Sequence, residues 1–226
     1  MRVEPFGVNS YVHVISRGAR GLPLCDHIDE LRRFRNVLFY MNDEYFNEDW
    51  HITAARDPFS RPRHWPKRMP LVHVVAYTLM TNHFHLILKE IREGGVSAYM
   101  RKVGQSMTNY HNEKHGGSGS LFQGSYRGRT IGTDRYARYA LTYVMVKNTF
   151  ELFPRGGLRA ASKNFERAWR WASGYPYSSF AAFAKGVDDP VVDAIEKSVL
   201  FSKPKEFKSF SRDVILGGKW TEIAFE

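Results

Sequence analysis

The chain has 226 residues, of which 43% are hydrophobic and 15% aromatic. This is enough apolar material for a packed core, which excludes a disordered polypeptide, and the length fits one domain plus an appendage or two small domains. A formal charge of +10, from 33 Lys and Arg against 23 Asp and Glu, favours a polyanionic partner. Nucleic acid is the first such partner, an anionic membrane the second, and a merely basic surface is the alternative.

The sequence has no stretch of eighteen uninterrupted apolar residues, and its first ten residues lack the apolar region of a signal peptide. No amphipathic basic helix stands out either. The single cysteine, Cys25, has no partner for an internal disulfide, which fits a reducing compartment, and no second feature supports it as a nucleophile. We therefore expect a cytoplasmic protein without membrane contact, located at the nucleoid when bound to DNA.

Hydrophobic periodicity and turn residues predict the elements of the first half of the chain. They are a strand over 10–17, a helix from an N-cap at Asp26 to about Glu44, a basic loop or insertion over 46–69, a strand over 71–80 buried on both faces, and a hairpin strand over 83–90.

The same patterns continue through the second half, up to a more polar tail. They predict a break at Gly94-Gly95 followed by a helix to about Lys114, a flexible connector over 115–120, a strand over 120–132, and a helix over 135–150 capped by Thr133 or Asp134.

The order strand, helix, strand, strand, helix, strand, helix predicts an α+β fold. It is a ferredoxin-like antiparallel sheet with helices on one face, followed by a mostly helical C-terminal extension. We place the first domain at 1–155, with the basic insertion at about 46–69 inside it, and the extension at 156–226.

A His-x-His triplet opens the second strand of the hairpin. On a strand, side chains alternate, so His83 and His85 share one face while Phe84, Leu86 and Leu88 face the helices. Two neutral imidazoles side by side form half of a divalent-metal site. A substrate could reach a metal on the open face of the sheet, and a tyrosine hydroxyl beside it could attack a phosphodiester, provided that the last helix crosses this face.

Arginines occur beside aromatic residues and glycines in SRPRHWPKR (60–68) and FQGSYRGR (122–129). This mixture suits phosphate contacts combined with base stacking. The expected DNA-binding residues are Arg17, Arg61, Arg63, Arg127 and Arg129.

Three ordered segments, LMTNHFHLIL (79–88), GSLFQGSYR (119–127) and DRYARYALTYV (134–144), together resemble the single-tyrosine HUH-endonuclease transposases. The branch that they resemble most is the REP-associated tyrosine transposases. VISRGARGLPL (14–24) and WRWASGYPYSSFAAF (169–183) are also similar to that branch, so the resemblance spans about residues 9–185.

The resemblance implies that 1–155 is an HUH-type catalytic domain acting on single-stranded DNA, often at a hairpin. It implies that His83 and His85 hold Mg²⁺ or Mn²⁺ against the scissile phosphate. Tyr143, nine residues after Asp134, matches the tyrosine that attacks phosphorus and leaves a 5′-phosphotyrosine and a free 3′-hydroxyl. The oligomeric state stays open between a monomer and a homodimer.

Other interpretations of these residues remain. By periodicity alone, Tyr143 would belong to a core stripe with Tyr136 and Ala140, and only the motif context makes it the nucleophile. Tyr136 and Tyr139 are weaker candidates and are interpreted as packing residues. The two histidines of the triplet could also be ordinary strand residues, and His13 and His73 are interpreted as structural.

One position departs from the family pattern. Four residues beyond the tyrosine the family typically has Asn or Gln as a further metal ligand, and this chain has Lys147, followed by Asn148. An ammonium cannot ligate a cation and repels it. Either Asn148 becomes the ligand through a local bulge or a helix shift, which we favour, or Lys147 contacts the phosphate, or metal binding is weakened and the enzyme is impaired.

The sequence thus predicts a metal-dependent single-stranded DNA endonuclease and strand transferase. The alternative is a catalytically impaired, structure-specific DNA-binding protein of the same fold. An RNA-binding ferredoxin-like domain is a third hypothesis, weakened because the usual aromatic platform on the central strands is not evident.

Overall fold

Four strands and the helices between them occupy the first two thirds of the chain, in a computed structural model that describes residues 6–218. The elements in chain order are β1 (Tyr11–Arg17), a 3₁₀ turn (Ala19–Gly21), α1 (Ile28–Tyr40), α2 (Trp50–Arg56), β2 (Val72–Leu79), β3 (His83–Glu90), α3 (Gly95–His115) and β4 (Arg127–Ile131).

Helical structure makes up the rest of the described chain. It consists of α4 (Asp134–Leu141), a π-helical segment (Thr142–Lys147), α5 (Asn148–Glu151), α6 (Gly157–Lys163), α7 (Phe165–Ala172), α8 (Phe180–Ala184), α9 (Ala194–Leu200) and α10 (Pro204–Leu216).

The sheet is antiparallel throughout, with the strand order β2-β3-β1-β4. This order and the intervening helices are those of the predicted ferredoxin-like α+β layer, so the predicted fold class is confirmed. Strand β1 pairs with β3 from Tyr11↔Lys89 to Arg17↔His83, which brings the end of β1 beside the first histidine of the triplet.

Alternation along β3 divides its side chains between two apolar clusters, as predicted. Phe84, Leu86 and Leu88 join a core with α1 and α3 on one face. Ile87 joins a second core on the other face, built with the π-helical segment and the C-terminal helices. A bulge in β2 places the successive residues Val75 and Ala76 in this second core.

The last predicted helix crosses the face behind the histidines, as the sequence analysis required, but the expectation that this face is open to a substrate is wrong. Helices α4 and α5 with the π-helical segment cross this face, and the extension packs outside them, so the second core contains residues from both sides of the predicted boundary at 155. The physical reason is that the extension is amphipathic: α7 carries Phe165 and Trp169 on a buried side, and α10 carries Phe207.

Polar contacts attach the extension to the sheet. Glu196 of α9 is buried, and its carboxylate accepts hydrogen bonds from the Tyr11 hydroxyl at 2.6 Å and the Lys89 ammonium at 2.7 Å. The backbone N–H of Ser179 donates to the carbonyl of Tyr77. This bond places the segment around Ser179 along the outer edge of β2 and shields that edge.

Several predicted boundaries also need correction. Helix α1 begins after an N-cap at His27 instead of Asp26, because the Glu30 side chain closes a capping box there, and it ends before Glu44. The segment 46–69 contains a helix, α2. Strand β4 is shorter than 120–132, since of the residues before it only Phe122 forms an isolated bridge, with Gly18.

No helix within residues 6–218 is both long and apolar enough to span a membrane.

A buried hydroxyl fixes the crossing helix on the sheet. The Thr78 hydroxyl donates to the Val144 carbonyl at 2.7 Å. Thr78→Val keeps the shape and loses the donor, so we expect a loss of about 1–2 kcal/mol in the free energy of unfolding, measured by urea denaturation. Thr130→Val, at an exposed strand position, is the matched control and should change stability little; equal losses in the two variants would contradict this role of Thr78.

Candidate functional site

The π-helical segment places Tyr143 directly against the histidine strand. Thr78, whose hydroxyl binds the Val144 carbonyl, is the β2 residue paired with His85 on β3. The neighbouring Tyr143 ring therefore lies edge-on to His85, with ring centroids 5.8 Å apart, and edge-on to His13 at 6.3 Å. The structure thus brings the predicted nucleophile and a predicted metal ligand together.

The winding of this segment changes which residues accompany Tyr143. The backbone N–H of Asn148 donates to the Tyr143 carbonyl, an i→i+5 bond that inserts one extra residue into the turn. In an α-helix, only Lys147 would lie one turn beyond the tyrosine. In the π-turn, Lys147 and Asn148 lie on either side of the direction in which Tyr143 points, so the segment contains a local bulge at this place.

His85 is hydrogen-bonded to a second buried histidine. His13 Nε2 and His85 Nδ1 are 2.9 Å apart, and the two rings are nearly parallel, at 4°. Burial, and secondarily Arg129, lowers the pKa of His13 to about 3. Burial also holds the pKa of His85 well below its ordinary value of 6.5, with further lowering by its histidine neighbours. Both rings are therefore neutral at pH 7.

The pairing couples the tautomers of the two rings. Between two neutral imidazoles, one nitrogen must donate and the other accept. If His85 donates from Nδ1 to His13, its Nε2 carries a lone pair. This Nε2 is buried and has no hydrogen-bond partner among residues 6–218. His13 is thereby able to hold His85 in the tautomer that a metal ligand needs.

His83 is held by its preceding residue in a similar way. Its Nδ1 lies 2.7 Å from the Asn82 side-chain oxygen, which can only accept, so this contact favours a proton on Nδ1; in the neutral ring, Nε2 then carries the lone pair. The centroids of the His83 and His85 rings are 5.1 Å apart, at 78°. His83 is half-buried and lies opposite the exposed Arg17 on β1.

Lys147 contacts the candidate nucleophile. Its ammonium donates to the Tyr143 hydroxyl at 3.2 Å and pairs with Glu151 at 2.8 Å. Burial lowers the pKa of Lys147, but the hydrogen bonds to Glu151 and Tyr143 outweigh this effect and leave the pKa raised. Lys147 is thus a fixed cation beside the phenol oxygen.

Asn148 is fully buried, and neither its side-chain nitrogen nor its oxygen has a hydrogen-bond partner in the described part of the chain. A buried amide without partners is costly, and such a group in a native structure needs an explanation. With their protons on Nδ1, two imidazoles together with an amide oxygen are donor types that a divalent cation accepts. The residues present therefore fit the metal that the motif implies.

The site is closed. Tyr143 is 3% exposed, His85 is fully buried and Lys147 is 6% exposed, so the half-buried His83 lies closest to solvent. A phosphodiester can reach the Tyr143 hydroxyl only if part of the covering structure moves.

The predicted arginines fall into two groups. Arg17, Arg127 and Arg129 are exposed and lie on the histidine face, since Arg129 pairs with His13 across β1 and β4. Arg61 lies elsewhere, in an ion pair with Asp43 at 2.7 Å.

Arg63 is exposed in the same inserted segment as Arg61. This segment is anchored near the start of β2, because the Asn42 side chain, next to Asp43, binds the backbone of Val72. The histidine triplet pairs with the other end of β2. The structure therefore does not bring Arg61 and Arg63 to the site.

Sequence reasoning missed two residues of this site, His13 and Glu151. His13 was interpreted as a structural strand histidine, and only the strand pairing sets it beside His85. The signal for Glu151 was its i, i+4 spacing from Lys147, one residue beyond the predicted helix. Tyr139, the weaker nucleophile candidate, packs instead against Phe210, with centroids 5.1 Å apart.

Comparison with known proteins adds little at the level of sequence, because no protein-family model and no curated protein matches the chain. Among solved structures, the chain is similar to a REP-associated tyrosine transposase bound to a REP hairpin. The sequence identity is 15% and the TM-score 0.46, over 86% of this chain and 90% of that one. A likeness this low carries no functional weight.

The neutral histidine pair predicts a pH dependence. When unfolded, both rings take up a proton near pH 6.5, whereas in the folded chain they resist it. The unfolded state therefore binds more protons below pH 6.5, and stability falls as the pH falls from there towards about 3. In urea denaturation between about pH 7 and pH 5, His13→Gln should flatten this fall by up to about 1.4 kcal/mol per pH unit.

Exposed His64→Gln is the control for this experiment. It should leave the slope of stability against pH as in the parent chain. A His13→Gln slope identical to that of the parent would show that burial does not keep the ring neutral.

Proposed function

We propose that the protein is a metal-dependent endonuclease and strand transferase for single-stranded DNA, acting through a 5′-phosphotyrosine intermediate, with hairpin-containing DNA as substrate. The observation that carries this proposal is the edge contact of Tyr143 with His85, beside His83, on a crossing helix. The segments that meet here are the ones in which the sequence resembles the single-tyrosine HUH transposases.

In this proposal His83, His85 and Asn148 hold a divalent cation, Mg²⁺ or Mn²⁺. Bound there, the ion would offset negative charge on the oxygens of the scissile phosphate. The support comes from the unsatisfied Nε2 of His85 and the unsatisfied amide of Asn148, both of which are buried. His13 acts as a positioning residue by fixing the His85 tautomer.

The chemical step is a transesterification. The Tyr143 oxygen attacks phosphorus, the bond from phosphorus to the 3′-oxygen breaks, and the phenol proton ends on that departing oxygen. The products are a 5′-phosphotyrosine and a free 3′-hydroxyl, so one phosphoester replaces another without water or ATP. Attack of a 3′-hydroxyl on the phosphotyrosine reverses the linkage and joins strands.

Lys147 has a role of its own in this step. A phenol is a poor nucleophile at neutral pH, and a cation 3.2 Å from its oxygen favours the negative charge that attack requires. The Glu151 pair keeps the ammonium charged and directed at the tyrosine. The residue that departs from the family pattern thus activates the nucleophile, and Asn148 serves as the ligand.

DNA would approach from the end of β1 and the start of β3, where Arg17 lies opposite the half-buried His83. Arg127 and Arg129 on the edge strand β4 extend the positive surface for phosphate contacts.

The second candidate function is a structure-specific DNA-binding protein that does not cleave. The observation that favours it is the burial of Tyr143, whose side chain is closed off together with Lys147. Hairpin binding that weakens steeply with salt, without any covalent adduct in the presence of Mg²⁺ or Mn²⁺, would establish this function in place of the first.

The nuclease proposal predicts a covalent protein–DNA adduct. Incubated with a set of labelled single-stranded hairpin oligonucleotides and Mn²⁺, the protein should give an adduct that survives denaturing electrophoresis. Tyr143→Phe should abolish it, because only the attacking oxygen is removed. Tyr139→Phe, a matched change on the preceding helix, should leave it intact, and an undiminished adduct in Tyr143→Phe would rule out the assignment.

Substitutions of Lys147 and of Asn148 should impair adduct formation in different ways. Asn148→Ala should raise the Mn²⁺ concentration needed for half-maximal adduct formation by roughly 10- to 100-fold, as loss of a metal-site group does. Lys147→Gln should lower the rate of adduct formation by roughly 10-fold or more at saturating Mn²⁺, since it weakens the nucleophile. It should leave the Mn²⁺ concentration for half-maximal adduct formation unchanged. The opposite assignment of the two effects would contradict these roles.

A further inference from the structure

A second group of metal-ligating side chains lies away from the tyrosine, where α1 begins and α3 ends. Glu30 of α1 and His111 and His115 of α3 each offer one ligand atom, and these atoms lie within 4.8 Å of one another. The proposed nuclease chemistry uses none of the three.

The Glu30 carboxylate is held rigidly. Its Oε2 accepts hydrogen bonds from the backbone N–H groups of Asp26 at 2.5 Å and His27 at 3.0 Å, which form the cap of α1. The residue is 2% exposed. With one oxygen fixed, the other, Oε1, is directed at His115 Nε2, 2.8 Å away.

The two histidines are one helical turn apart. An i, i+4 pair lies on one face of a helix, and the His111 and His115 ring centroids are 4.5 Å apart, at 40°. His111 is half-buried and His115 is exposed, so an ion can enter from solvent.

We propose that Glu30, His111 and His115 form a binding site for a divalent transition-metal ion of the zinc class. Two imidazoles and one carboxylate are ligands that Zn²⁺ takes in tetrahedral sites, with solvent in the remaining position. Mg²⁺ and Ca²⁺ prefer oxygen ligands, so the site discriminates against them. The direct hydrogen bond between His115 and Glu30 opens slightly to admit the ion.

Lys114 competes for the same carboxylate. Its ammonium lies 3.0 Å from Glu30 Oε1 and 2.8 Å from Asp29 Oδ2. Asp29 is more than half exposed and offers a second partner, so the lysine retains an ion pair when a metal displaces it from Glu30. Lys114 therefore lowers the affinity of the site without blocking it.

Binding would link two elements that are distant in sequence. The ion would join the first turn of α1 to the last turn of α3, just before the glycine-rich segment 116–119 that leads towards β4. A ligand that binds only the folded chain stabilises it by mass action.

The test uses the full chain and Zn²⁺ alone as the probe. At a Zn²⁺ concentration well above its dissociation constant, the melting temperature should rise by about 5 °C. His111→Ala should lose this rise, whereas His51→Ala, an exposed histidine on α2, should keep it. Lys114→Met should bind Zn²⁺ roughly two- to fivefold more tightly. Mg²⁺ at the same concentration should give no rise.

The same titration in His83→Ala separates this site from the proposed nuclease site. The Zn²⁺-dependent rise should persist in His83→Ala and disappear when His111→Ala is added, whatever the adduct assay shows. An unchanged rise in His111→Ala, the absence of any rise in His83→Ala, or weaker binding in Lys114→Met would overturn the proposal.

Discussion

The hydrogen bond between His13 and His85 is the constraint on which the candidate site depends. It joins two neutral rings inside the sheet, at 2.9 Å, and determines which nitrogen of His85 is available to a ligand. Because both rings are buried, protonating either one costs free energy. One neutral ring therefore donates the hydrogen bond and the other accepts it. Tyr143 lies edge-on to both rings, which ties the helix above the sheet to this arrangement.

The π-turn resolves a conflict in the sequence. At the regular spacing of an α-helix, the position beyond the tyrosine belongs to a lysine, which repels a metal ion. Adding one residue to the turn brings Asn148 towards the same side while Lys147 still reaches the tyrosine hydroxyl. In the proposed mechanism, the positive charge acts on the phenol oxygen, and the neutral amide of Asn148 is left to hold the cation. Departures of this kind are frequent at functional sites.

Closure of the site has a consequence for how such a protein would work. The Lys147 ammonium is buried beside a partly exposed Glu151 carboxylate, and the Asn148 amide is buried without a partner in the described part of the chain, so keeping water out of this face costs free energy. Opening the face to DNA would hydrate these groups and remove that cost. The helices after 156 are therefore part of the site in the structural sense, since their apolar residues complete the core over the histidine face.

Much of the architecture was predictable because it depends on local patterns. Alternation on β3 separated Phe84 and Leu86 from the histidines, and the order of elements was sufficient for the sheet type. The triplet and Tyr143 could be selected by their motif context. His13 could not, because its role arises from pairing between β1 and β3, strands that are distant in sequence.

The sequence by itself determined the fold class, the face on which the histidines lie and the identity of the tyrosine brought to them, since each follows from side-chain period or motif order. Only the tertiary structure decided that this face is covered, that Arg61 is held by Asp43 away from the histidines, and that the helix carries an extra residue in the turn after Tyr143. Those outcomes depend on packing and polar contacts between segments that are distant in sequence, and no local pattern encodes these contacts.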